Sequence, residues 1–271
     1  MKWTKDKLHT WAKENRNRLA RDFFKKKNLA KSDEKIAIFM AWSPWAGKTE
    51  FINRLLTEDQ KAAYYILDLD EIRTWMPNYK WNYADKYTKG AIKILEKLFD
   101  VCAHNEYNFI LDWTFTSTDV IDRNIDHLLR KWYKINVFYI HTQPYISWIY
   151  TLLRWNDDNR RIPWKKFIKF YHDAFSNIHI FQEKYSWKIT FYISQKIRDI
   201  DWYIIHDDKY YLSNSIQEMN DIFDNKVRFY YNLWKDLLND TLYFQITKII
   251  SFFPIIWKPL LRHIAKIPKW Q

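Results

Sequence analysis

The sequence predicts an α/β fold, with a mostly parallel sheet covered by helices on both faces. Short apolar runs alternate with helix-like patterns from residue 35 to about residue 195, the signature of parallel strands joined by crossover helices. The first run, KIAIFMA (Lys35 to Ala41), is apolar without alternation, as a strand buried on both faces should be. It leads straight into WSPWAGKTE (Trp42 to Glu50) and then into the helical spacing of EFINRLL. Strand, loop and helix in that order are the third observation behind the fold class.

The remaining elements follow along the chain. Residues 1–34 form a basic, helix-like segment ending in KKKNLAKSDEK. YYILDLD (Tyr64 to Asp70) and NFILD (Asn108 to Asp112) are the next strands, each closed by an aspartate. Between them, ADKYTKGAIKILEKLFDVCAHNE has the apolar spacing of a long helix. INVFYIH (Ile135 to His141) is a fourth strand, followed by the helical pattern SWIYTLLRWNDDNR. Pro163 opens another helix, in which Phe167, Phe170, Phe175 and Ile178 lie near helical spacing. KITFYIS (Lys188 to Ser194) is a fifth strand, and from about residue 207 the chain reads as mainly helical. The expected organisation is a helical N-terminal segment (1–34), a core (35–206) and a helical C-terminal extension (207–271).

Composition narrows the function. The chain has 271 residues, 48% of them hydrophobic, and a formal net charge of +12, which favours anionic partners such as nucleotides. Cys102 is the only cysteine, so no internal disulfide can form, and a reducing cytoplasm is expected. The N-terminus lacks the apolar stretch of a signal peptide. The longest apolar run, TLYFQITKIISFFPIIW (Thr241 to Trp257), is broken by Lys248 and Pro254 and falls short of the roughly 20 residues of a spanning helix. A packed helix is expected there, with a peripheral membrane contact left open.

Glycine and tryptophan are out of proportion. Average usage of about 7% would give roughly 19 glycines in a chain of this length, whereas there are 2, beside 16 tryptophans. Together they nearly make up the expected number. Some bacterial lineages read the codon UGA as glycine and others as tryptophan, so a gene of the first kind translated by the second table would look like this. Trp187 in KYSWKIT and Trp81 in NYKWNY stand in turn-like settings where glycine is the usual punctuation. Most tryptophans are therefore expected to stand where the natural product has glycine.

The loop shows why this matters. Gly47, Lys48 and Thr49 are the tail of the phosphate-binding pattern G-x-x-x-x-G-K-[ST], whose first glycine falls on Trp42. In a P-loop NTPase-like, three-layer fold, backbone N–H groups of Trp42, Ser43, Pro44, Trp45, Ala46 and Gly47, so far as each has one, and of Lys48, Thr49 and Glu50 would surround the phosphates of ATP. Lys48 would reach the β- and γ-phosphates, and the Thr49 hydroxyl would ligate Mg2+. Close approach of the backbone requires glycine at 42 and 45. As written the site is damaged, and with glycine restored it is sound.

Asp70 and Asp112 close two strands whose C-terminal ends border the ligand crevice of an open parallel sheet. One should help hold magnesium and the other accept a proton from a substrate hydroxyl. Asp68 is expected only to cap the next element. Arg154, Arg160 and Arg161 are placed to meet phosphate through planar guanidinium groups. His141, His172 and His179 have no metal-ligand spacing.

With tryptophan read as glycine, GSPGAGKTE, DLDEIR…MPNY, FILDGTFTS and LLR…NRRIP…F occur in the order of the zeta toxin family of P-loop kinases, which the chain resembles over about residues 36–195. The resemblance implies an ATP-dependent kinase that phosphorylates the 3′-hydroxyl of UDP-N-acetylglucosamine, often restrained by a small antitoxin. It implies that Asp70 is the general base, Lys48 the P-loop lysine and Thr49 the magnesium ligand. Arg73, in the D-E-I-R motif, goes with the substrate. Asp112 stands where members carry an acidic substrate-contacting residue, often glutamate, and serves the metal as well; Thr114 follows as in the family's acidic-Gly-Thr turn. Arg154 resembles the first phosphate-binding arginine, and the second falls on Arg160 or Arg161. Nucleic acid is not an expected partner. Trp42, Trp45 and Trp113 depart from the family's glycines. Another P-loop kinase, acting on a nucleoside, a polynucleotide end or an antibiotic hydroxyl, would use the same machinery. If Trp42 and Trp45 are genuine, the alternative is a nucleotide- or nucleic-acid-binding module without catalysis.

Overall fold

The computed structural model describes residues 3–42, 48–112, 114–141, 147, 151, 162, 164–196 and 210–213. Its helices are α1 (Lys5–Lys27), α2 (Lys48–Leu55), α3 (Glu58–Ala62), α4 (Leu69–Thr74), α5 (Ala84–Asn105), α6 (Thr118–Arg130) and α7 (Trp164–Tyr185). Its strands are β1 (Ile36–Trp42), β2 (Tyr65–Asp68), β3 (Phe109–Asp112), β4 (Lys134–His141), β5 (Thr190–Lys196) and β6 (Tyr210–Ser213). The fold is α/β, with a parallel sheet flanked by helices. The chain divides into a first compact unit of Met1–Ala41, Thr49–Val137 and Tyr185–Thr190, and a second of Trp42–Lys48, Phe138–Lys184 and Phe191–Gln271.

In the first unit the strand order is β2-β3-β1-β4. β1 and β2 both run parallel to β3, with Ala37 beside Phe109 and Met40 beside Asp112 on one side, and Tyr65 beside Phe109 and Asp68 beside Asp112 on the other. The sequence pattern reports this order. Central β1 is buried from Ala37 to Ala41, so it needs apolar side chains on both faces. β2 buries alternate residues, Tyr65 and Leu67. In the second unit the order is β4-β5-β6, with β6 antiparallel to β5. Phe138 and Tyr192 stack there with centroids 4.6 Å apart.

Helix α5 buries Tyr87, Ala91, Ile94, Leu98 and Cys102, a stripe at helical spacing that faces the core. Helix α1 packs on it through small residues. At Gly90 a Cβ would lie 3.0 Å from the Leu8 carbonyl oxygen, 3.3 Å from Ala12 Cβ and 2.5 Å from Met76 Cε. Only a residue without a side chain lets the two helices approach so closely. Thr4 caps α1 by accepting from Lys7 N–H at 3.3 Å. At its far end Phe24 meets the edge of Tyr65 at 4.7 Å, and Tyr65 Oη accepts from Leu29 N–H at 2.8 Å. The basic N-terminal segment is thus part of the first unit's core. Helix α6 buries Ile121, Ile125 and Leu128. Residues 210–213, within the segment expected to be mainly helical, form β6; the rest of that segment and most of the SWIYTLLRWNDDNR pattern lie outside the described residues. Among the described residues no helix is long and apolar enough to cross a membrane.

Two helix ends carry testable consequences. α6 closes in a Schellman motif, Tyr133 N–H donating to the Leu128 carbonyl and Trp132 N–H to the Leu129 carbonyl, each at 3.1 Å. Trp132 has φ 63° and is 85% exposed, so a bulky residue sits in the left-handed position that glycine normally fills. The left-handed region costs a non-glycine residue about 1–2 kcal/mol, and this indole gains no burial in return. Trp132→Gly should raise stability by about 1 kcal/mol, after allowance for the greater unfolded-state freedom of glycine, seen as a higher denaturant midpoint at unchanged m-value. At the end of α5, Glu106 (φ 60°) is paired with Lys31 and, at 3.2 Å, with Lys35. Hydrogen bonds from Lys31 and then Lys35 hold its carboxyl below the usual range. A depressed folded-state value gives stabilisation that is complete above the unfolded value of about 4.3 and is lost as pH falls through the folded one. Unfolding titrations should find Glu106→Gln less stable than the parent at pH 7, with the gap closing in acid.

Candidate functional site

Strand β1 ends at Trp42, and α2 begins at Lys48. Ser43, Pro44, Trp45, Ala46 and Gly47 lie outside the described residues. Lys48, Thr49 and Glu50 form the first turn of α2, where backbone N–H groups have no partner inside the helix and attract anions. Buried strand, short loop and helix N-terminus are the elements that a phosphate cradle requires.

The C-terminal ends of β2 and β3 bring Asp68 and Asp112 side by side. Asp112 is 5% exposed, an acidic group held in an apolar strand end. Burying a carboxylate is costly unless it is paired or meets a cation. Asp112 has interactions of its own within the chain; as an oxygen donor it is of the kind magnesium takes, one or two carboxylates beside retained water. Among the described residues no cluster of three or more histidine, cysteine or acidic groups could hold a metal on its own.

Asp70 is displaced from its expected place at a strand end. β2 stops at Asp68, and Asp70 lies in the first turn of α4. The reason is local: Asp68 Oδ1 accepts from Asp70 N–H at 2.7 Å, capping the helix and turning the chain two residues early. Asp68 therefore has the capping role expected of it. The Asp70 side chain stays 42% exposed, and its Oδ1 is paired with Arg73 Nη1 one turn on. Arg73, 14% exposed, also donates from Nη2 to Thr88 Oγ1 at 3.2 Å on α5.

After β3, Trp113 is outside the described residues, and Thr114 is exposed with its Oγ1 3.1 Å from that of Thr116. Between them Phe115 is fully buried at φ 54°. Burying a phenylalanine contributes about 1.5–3 kcal/mol, enough to offset the roughly 1–2 kcal/mol of its left-handed backbone. The ring anchors the loop and leaves the hydroxyls at the surface. Arg154, Arg160 and Arg161 lie outside the described residues. No sequence motif points to Thr88 or to the anchoring role of Phe115. Thr88 falls one turn beyond Ala84 at the start of α5, but nothing in spacing alone joins it to Arg73.

The zeta toxin family profile matches residues 20–208. The chain belongs to the zeta toxin family. Toxin PezT of Streptococcus pneumoniae serotype 4 (strain ATCC BAA-334 / TIGR4) is 29% identical over 133 residues, which are 46% of this chain and 52% of PezT. The chain thus spans about half the length of the curated relative it matches. A solved structure from the PezAT chromosomal toxin–antitoxin system of the same species aligns with TM-score 0.55 and 25% identity, over 68% of this chain and 76% of that one. The AvrRxo1-ORF1:AvrRxo1-ORF2 complex with sulphate ions aligns with TM-score 0.56 at 12% identity, over 80% and 71%. The same complex with ATP gives TM-score 0.52, also at 12%, over 80% and 70%. These last two likenesses show the fold alone. Since Asp68 is a helix cap, Asp68→Ala should lower stability by about 1 kcal/mol, measured by denaturant unfolding.

Proposed function

We propose that this zeta toxin family member is an ATP-dependent kinase that phosphorylates the 3′-hydroxyl of UDP-N-acetylglucosamine, with Asp70 as general base. The observation that carries the proposal is the common edge at which β1, β2 and β3 end: β1 leads to Gly47-Lys48-Thr49 and α2, while β2 and β3 lead to Asp70 and Asp112. In the proposed reaction the Asp70 carboxylate takes the proton of the acceptor hydroxyl. The hydroxyl oxygen forms its bond to the γ-phosphorus, the bond to the β–γ bridging oxygen breaks, and ADP leaves. Lys48 holds the β- and γ-phosphates, and Arg154 with Arg160 or Arg161 neutralises charge on the transferred group. Thr49 and Asp112 would hold Mg2+, which supplies charge neutralisation when bound. Asp112 and Thr114 contact the nucleotide sugar; Arg73 stands with them. A small antitoxin partner is proposed by analogy with the toxin–antitoxin system of the pneumococcal relative, and a cytoplasmic setting goes with it. The absence of a spanning helix among the described residues leaves a peripheral membrane contact of residues 207–271 open.

We infer further that glycine is the natural residue at positions 42, 45, 113 and 132. The glycine deficit supports it, and so does the left-handed backbone of exposed Trp132, which composition alone does not reveal. The literal tryptophans favour a second reading, a binding module without catalysis, because indoles at 42 and 45 would occupy the phosphate path.

One assay separates these readings. The chain with Trp42, Trp45 and Trp113 changed to glycine is incubated with ATP, magnesium and UDP-N-acetylglucosamine beside the literal chain and a Lys48→Ala control. Mass spectrometry should find one added phosphate on the sugar with the glycine chain, and a loss of about 100-fold or more with Lys48→Ala. ATP binding without product would move the proposal to other hydroxyl acceptors. Equal activity of the literal chain would end the glycine inference.

A further inference from the structure

We propose that Arg73 is a positioning residue: together with Thr88 it fixes the carboxylate of Asp70 in the orientation from which it takes the acceptor proton. The proposal rests on the general-base reading of Asp70.

A chain of contacts leads from helix α5 to the base. Thr88 Oγ1 donates to the Ala84 carbonyl at 3.1 Å, which spends its only proton and leaves its lone pairs for Arg73 Nη2 at 3.2 Å. Arg73 Nη1 then donates to Asp70 Oδ1. The planar guanidinium makes the link rigid: Nη1 and Nη2 are locked in one plane, so fixing one by α5 aims the other at the carboxylate. The two ends of the link differ in exposure. Arg73 is 14% exposed and Asp70 42%, so one carboxylate oxygen is engaged on the protein side while the group still opens to solvent, where an acceptor would arrive. Asp70 N–H is held by Asp68 Oδ1 at 2.7 Å, which fixes the backbone of the same residue. Arg73 Nε is buried with no hydrogen-bond partner among the described residues. An unmet donor is a cost to folding, as expected of a side chain retained for geometry rather than for stability. A lysine would supply charge to Asp70 but, as a single rotatable ammonium, would not couple it rigidly to Thr88.

The test uses the full chain, in the form that turns over, with Arg73→Met, Arg73→Lys and Thr88→Val. Arg73→Met should lower kcat about 10- to 100-fold, the scale of a misplaced catalytic group, a larger change than in KM and beyond what its shift in melting temperature explains. Arg73→Lys should fall between it and the parent, and Thr88→Val should lower kcat although it touches no reactant. In the parent the Arg73 side-chain Nη–H resonances should be resolved and slow to exchange, and they should lose that protection in Thr88→Val and in Asp70→Asn. A loss confined to KM or to melting temperature would overturn the proposal, as would a freely rotating Arg73 guanidinium in the parent. If the parent fails to phosphorylate UDP-N-acetylglucosamine, the acceptor reading falls, and the resonance measurement still decides whether the clamp exists.

Discussion

The structure depends on one backbone constraint: β1, β3 and β2 are parallel and in register, so all three must leave the sheet at the same edge. A buried parallel strand has no freedom to turn back by a hairpin, and its chain has to cross over through a helix. Every connection on that edge therefore begins at a strand C-terminus and ends at a helix N-terminus. The start of α2 at Lys48 and Thr49, the Asp68 cap with Asp70 behind it, and the approach to α6 from Thr114 to Ser117 are three products of that rule. Their chemistry differs because each short connection carries different side chains.

The sequence made much of this legible and left specific parts hidden. Apolar runs without alternation located β1 and β3, because burial on both faces admits little else. The long stripe of α5 was equally plain. Asp70 was misplaced by two residues, since YYILDLD reads as one strand and only the capping hydrogen bond of Asp68 shows where it stops. Helix α6 is announced only by Ile121, Ile125 and Leu128 at helical spacing, a short stripe without the long apolar run that marks α5. The Arg73–Thr88 contact could not be read at all, as it joins residues 15 apart on separate helices. The arginines of the LLR…NRRIP stretch remain a matter of sequence, outside the described residues.

Tryptophan and glycine are opposite extremes of backbone freedom, so exchanging one for the other should be most visible where the backbone is unusual. Among the described residues Trp132 supplies that case, with a left-handed φ and an indole given to solvent. Asn28 and Asn78 occupy the same region, but asparagine tolerates it. Phe115 does so only with a buried ring to compensate. A composition anomaly and an unusual dihedral angle thus fall on the same residue.

Gly90 gives the fold an order in time. The groove it opens is the seat of Leu8 and Ala12, so the N-terminal half of helix α1 cannot take this seat until α5, some eighty residues downstream, has been made. During synthesis its small-residue face must wait, and a non-local closure of that kind slows folding. Once α5 arrives, one helix receives α1 on its Gly90 side and holds Arg73 of α4 through Thr88, so the seat of the N-terminal helix and the support of an aspartate's partner are made in the same stretch of synthesis.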